Sequence, residues 1–155
     1  MEPKVKVKEK EVFNLLRPNA AGIDIASSMH YVAVPADRDE QCVQKFGSFT
    51  QDLHDMANWL KLCKIDTIAM ESTGVYWIQP YLVLEEYGFE IFLVNARHIK
   101  NVSGRKSDVK DCQWIQQLHS YGLLNRSFQP EDLIRELRTY IRHRKDLTHG
   151  YSSQV

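Results

Sequence analysis

The sequence predicts an α/β domain, a mixed five-stranded sheet with helices on both faces. Three observations carry that prediction: five short stretches with strand character, helical spacing of apolar residues after the third, fourth and fifth of them, and enough apolar material for one core. The chain has 155 residues, 43% of them hydrophobic, which suits one compact domain and falls short of two. Gly 7, Pro 5 and a balance of 20 basic against 20 acidic side chains exclude collagen-like, low-complexity and wholly disordered classes.

The elements follow in order. Residues 1–19 read as a charged leader. Residues 21–26 and 29–34 form two strands joined by Ser27-Ser28, a hairpin connection, and residues 42–49 alternate enough to make a third. Thr50 can cap a helix running to Cys63, with Leu53, Met56, Ala57, Leu60 and Cys63 on one face. Residues 66–71 are a short apolar strand broken by Ser72-Thr73-Gly74, and residues 77–87 return to helical spacing until Gly88 stops them. Residues 89–94 make the fifth strand. A polar, basic stretch from 95 to 106 leads to a helix capped by Ser107 and closed by Gly122, and a last helix starts at Pro130 or Glu131 and runs to about Leu147. Connections of these lengths permit antiparallel pairing of the first three strands and parallel crossovers to the last two. That order is the one found in the ribonuclease H-like fold. Actin-like ATPases share its opening, but they are much longer and carry glycine-rich phosphate loops after their first strands, and no such loop appears here.

No apolar run reaches the roughly 18–20 residues of a membrane span, and the start at Met1 lacks the apolar stretch of a signal peptide, so a cytoplasmic location without membrane contact is expected. Cys42, Cys63 and Cys112 are odd in number and form no Cys-x-x-Cys pair; they read as small buried or half-buried residues. The six histidines show no metal-ligand spacing, and no Ser-His-Asp grouping stands out. Charge is unevenly distributed. Residues 1–96 hold 9 basic and 14 acidic side chains, residues 97–155 hold 11 and 6. The basic third, with Arg97, Lys100, Arg105, Lys106, Arg138, Arg142 and Arg144, can meet a phosphate backbone; the same run also fits a solvated helix face.

The carboxylates are more informative. In the first strand a period of two sends Ile23 and Ile25 to one face and Asp24 to the other, and an acid inside a central strand is costly unless something compensates it. Glu71 ends the fourth strand, where open α/β sheets present their ligands, and Asp108 and Asp111 stand three apart at a helix start. Four converging carboxylates would bind a hard divalent cation such as Mg²⁺, or Mn²⁺ in its place. Each acid also has a plainer reading, since anions are favoured in a first helical turn and Glu71 can simply end a strand. Tyr76 and Trp77, after the Gly74 turn, can stack on a base or brace Glu71, with core packing the plainer role for Trp77.

The segments Gly22-Ile23-Asp24-Ile25-Ala26, Glu71-Ser72-Thr73-Gly74-Val75-Tyr76-Trp77, Val94-Asn95-Ala96 and Lys106-Ser107-Asp108-Val109-Lys110-Asp111 resemble the successive motifs of the DEDD transposases of the insertion sequence one-ten family, relatives of the Piv site-specific invertases. The resemblance spans about residues 21–147. It implies a RuvC-like catalytic domain, here over residues 20–125, in which Asp24, Glu71, Asp108 and Asp111 bind Mg²⁺ and take part in DNA strand cleavage. It further implies work with a structured guide RNA, and pairing between subunits through helices continuing from residues 126–155. Family members carry a second domain with a catalytic serine. The sequence ends at Val155, so the resemblance implies a catalytic domain without that serine, a role not assigned to Ser152 or Ser153. Cys112 departs from the small alanine-like residue usual there. Two other functions stay open: a non-catalytic nucleic-acid-binding or oligomerisation module, and a stand-alone RuvC-like nuclease.

Overall fold

The computed structural model describes residues 15–72, 74–102, 104, 110–126 and 131–152. Its sheet has five strands in the order β3-β2-β1-β4-β5. β1 (Ala20–Asp24) is central, antiparallel to β2 (Met29–Ala33) and parallel to β4 (Thr67–Glu71). β3 (Val43–Gly47) pairs antiparallel with β2 on one edge, and β5 (Glu90–Val94) pairs parallel with β4 on the other. A tight hairpin suffices for β1 to β2, whereas each parallel step needs a crossover. α1 (Thr50–Leu62) supplies the first and α2 (Ile78–Glu86) the second. The mixed sheet with helices on both faces is the ribonuclease H-like architecture that the order of elements implied.

The strand period of two divides the core into two layers. Ile23, Ile68, Met70 and Leu93 face α1 and α2, where they meet Leu53, Met56, Leu60 and Leu84. Ala69, Phe92 and Val94 face the opposite way, toward Ile99, Trp114, Ile115 and Leu118. The last three belong to α4 (Asp111–Ser120). Leu53, Met56 and Leu60 are fully buried, as their helical spacing predicts, and each burial contributes about 1.5–3 kcal/mol.

Gly22 sets how closely α4 lies on the sheet. A β-carbon at this position would collide with the backbone of Gln116 and Cys112, so only glycine lets the helix cross β1 at this distance. Gln116 Nε2 then donates to the Ala20 carbonyl at 3.2 Å, fixing α4 along the strand.

Several boundaries differ from expectation. The residue before α1 is Phe49, not Thr50, and its N–H donates to the Asp52 carboxylate at 3.2 Å, which replaces a hydroxyl cap. α4 begins at Asp111 rather than just after Ser107, with Gln113 Oε1 reaching back to the Lys110 N–H at 3.2 Å; Ser107 itself lies outside the described residues. The polar stretch after β5 contains a short helix, α3 (Ala96–Asn101), whose start is capped by Asn95. α5 (Glu131–Ser152) runs beyond Leu147. Cys63 and Cys112 are buried and Cys42 half-buried, all three as free thiols.

Candidate active site

Asp24, Glu71 and Asp111 come from three elements that the sheet brings to one edge. Because Gly22 faces α4 and Ile23 faces α1, the alternation of β1 turns Asp24 to the α4 side. Parallel pairing sets Ile23 beside Met70, so Asp24 and Glu71 are the next residues along at the carboxyl ends of β1 and β4. Asp111 opens α4, the helix lying across β1. Asp24 is half-buried. Burial is the largest cause holding its carboxyl above the usual range, and the Asp111 and Glu71 carboxylates add to it. Mutual repulsion of this kind marks acids that share one electrostatic field. Their donor chemistry, oxygen only, suits a hard divalent cation. Among the described residues no three His, Cys, Asp or Glu side chains stand at ligand spacing around one point. Asp108 lies outside the described residues.

Neighbouring groups hold this edge in shape. The Ser72 N–H donates to the Val94 carbonyl at 3.0 Å, tying the chain after Glu71 to β5. Trp77 is buried and its indole N–H donates to the Gly74 carbonyl at 3.0 Å, so it packs and closes the turn. Tyr76 stays exposed on the same turn. Cys112 is buried beside Asp111, and burial pushes its thiol up to about 11, which leaves it neutral and unreactive near pH 7.

The basic residues are placed less uniformly. Arg97 and Lys100 are exposed on α3, which leaves the carboxyl end of β5 next to the acids. Asn95 accepts from the Arg97 N–H at 2.9 Å, and His98 Nε2 lies 3.1 Å from the Leu123 carbonyl, so α3 is held at its start and through His98. Arg138 donates to Glu85 on α2, and Arg142 lines the groove between α5 and the first two helices. Arg144 is exposed on α5. Arg105 and Lys106 lie outside the described residues.

Sequence reasoning missed two residues of the same edge. Asp24 pairs across the sheet with Tyr31, and Tyr31 with Lys45, so all three share a face. Tyr31 lines a cleft with Asp24, Asp111, Cys112 and Lys110. The signal was present in the strand alternation, where Tyr31 falls between His30 and Val32, both buried, but only the pairing register reveals that it sits beside Asp24.

No curated protein matches the chain. No helix among the described residues is long and apolar enough to cross a membrane. A family model described as Transposase, that of the IS110 DEDD enzymes, matches residues 21–155, a stretch that takes in every strand but the first residue of β1 and all four candidate acids. The chain thus belongs to the IS110 family of DEDD transposases.

Proposed function

We propose that the chain carries the metal-dependent catalytic centre for DNA strand cleavage in transposition, with Asp24, Glu71, Asp108 and Asp111 as oxygen ligands of Mg²⁺, or of Mn²⁺ in its place. The observation that carries this reading is Asp24, whose carboxyl is raised by burial and by Asp111 and Glu71 together. A half-buried acid facing two other carboxylates is what a divalent cation relieves. Held by these carboxylates, such a cation would supply Lewis-acid stabilisation of the charge that develops on a phosphodiester during cleavage.

The chain's own residues do the rest. β1 and β4 fix two carboxylates from the sheet, and α4 brings a third over them. Arg97 and Lys100, with Arg105, Lys106, Arg138, Arg142 and Arg144, supply cations for the DNA backbone. A structured guide RNA pairs with donor and target DNA, and copies of the chain associate through α5. Residues 20–125 form the catalytic unit and residues 126–155 the start of a connecting helix.

Calorimetric titration of Mg²⁺ and Mn²⁺ into wild type, Asp24→Asn and Asp111→Asn tests the assignment. Affinity should fall sharply in both variants, and equal affinity in all three proteins overturns the site. A second reading is a nucleic-acid-binding module without turnover, in which exposed cations such as Arg97, Lys100 and Arg144 serve binding alone. Incubation with branched and duplex DNA separates the two: Mg²⁺-dependent nicking supports the catalytic reading, and binding without nicking supports the module.

A further inference from the structure

We infer that the exposed face of β2 and β3 beside the acids is a subsite for a single-stranded DNA segment flanking the scissile phosphate, with Lys45 and Lys110 on its phosphates and Tyr31 stacked against a base. The inference rests on the catalytic reading of the acids and extends it to a substrate path.

Pairing places Asp24, Tyr31 and Lys45 in one row across β1, β2 and β3. Adjacent strands are about 4.8 Å apart, so the row runs roughly 10 Å from the acid to the lysine. Two clefts meet along it. One is lined by Asp24, Tyr31, Lys110, Asp111 and Cys112, the other by Tyr31, Gln41, Val43, Gln44, Lys45 and Lys110. Tyr31 and Lys110 border both, so the trough is continuous from the acids to Lys45. α4 covers β1 and touches β2 and β4, whereas α1 backs β3 from the other side. Among the described residues no helix covers the β2–β3 end of this face, and Tyr31, Lys45 and Lys110 are all exposed there.

The trough is polarised. Its inner end carries Asp24 and Asp111, and its outer end carries lysines with no carboxylate among the described lining residues. Among the described residues neither lysine is in an ion pair. An extended strand lying along it would put its phosphates against the lysines and a base against the tyrosine, a combination of cationic groove and aromatic platform that suits single strands. Lys45 also sits on an edge strand, where a lysine can serve only to discourage sheet-to-sheet pairing. That role makes a different prediction.

Fluorescence anisotropy of a labelled single-stranded DNA oligonucleotide, over a series of salt concentrations in Mg²⁺ and in chelator, distinguishes them. Lys45→Ala should lower the log–log salt slope by about 0.7, the share of one phosphate contact on a single strand. Tyr31→Ala should weaken binding on the order of tenfold at unchanged slope, and Tyr31→Phe should retain it. An unchanged slope in Lys45→Ala, equal affinity in Tyr31→Ala, or the same losses seen with an RNA oligonucleotide but not with DNA overturns the subsite. If Tyr31→Ala fails to fold, Lys45→Ala and Tyr31→Phe still decide it. Failure of the acid site reads out separately, as unaltered ion affinity in Asp24→Asn.

Discussion

Gly22 meets the α4 backbone with no space for a side chain, so Gly22→Ala has to push the helix off β1. Overpacking against backbone costs roughly 1–3 kcal/mol or more, which thermal or denaturant unfolding will register as a lower midpoint. Asp111 would move with the helix, so ion affinity should fall in the same variant. His119 gives a pH-dependent case. It is fully buried, its Nε2 lies 2.8 Å from Thr67 Oγ1, and its ring packs on Phe92. Burial first, then Arg17 and Arg126, push the imidazole down from 6.5 to about 4, with Asp66 opposing weakly. The unfolded chain therefore takes up a proton that the folded chain refuses. Stability is full above about pH 6.5 and is lost as the pH falls toward 4, by up to about 3 kcal/mol at 1.36 kcal/mol per unit. His119→Gln should flatten unfolding free energy against pH across that window, and a curve parallel to wild type would reject the assignment. Asp24 carries the opposite sign. Its folded carboxyl titrates above the unfolded one, so ionisation costs the metal-free fold, and Asp24→Asn should raise metal-free stability near pH 7 while removing ion binding. A large loss of metal-free stability would instead make Asp24 structural.

At the level of elements, what could be read from sequence was what repeats locally. Leu53, Met56, Ala57 and Leu60 announced α1 because four positions on one helical face are enough to show a period. The five strands were legible because each alternates or runs apolar between breakers, and Asp24 stands out because it interrupts such a pattern. α3 was hidden: six residues, only Ile99 buried, give no period, although Asn95 before them was a cap signal. The start of α4 was misplaced because Ser107 is a favoured cap residue, while the interaction seen at the helix start uses a side chain inside the helix, Gln113. Partners across the sheet were out of reach, since nothing local tells Tyr31 that it faces Asp24. The α3 position makes one prediction of its own. Arg97 and Lys100 project from a helix held by Asn95 and His98, so an Arg97→Ala, Lys100→Ala double variant should lose about two phosphate contacts, a slope change of roughly 1.4–1.8, with little change in folding. An unchanged slope removes α3 from the DNA interface.

Over the whole molecule, α5 is the element through which copies of the chain are proposed to associate. One side of it is engaged: Arg138 donates to Glu85, and Ile141 and Lys145 border a groove with Leu82 and Val83 of α2. The other side carries Tyr140, 67% exposed, and Leu147, 54% exposed. Ile141 therefore turns toward α2 and Tyr140 away from it. A symmetric pair of helices would cover four such large side chains, contributing roughly 6–12 kcal/mol at about 1.5–3 each, against an association cost of about 4–15 kcal/mol. The two nearly cancel, so the chain should self-associate weakly and in proportion to concentration. Sedimentation across a concentration series checks this, with a Tyr140→Glu, Leu147→Glu variant as the control. The variant keeps Arg138 and Ile141, so α5 stays docked on its own domain and only the outward face changes. A wild type that stays monomeric throughout, or a variant that associates as well as wild type, would show that this face does not pair with a second copy.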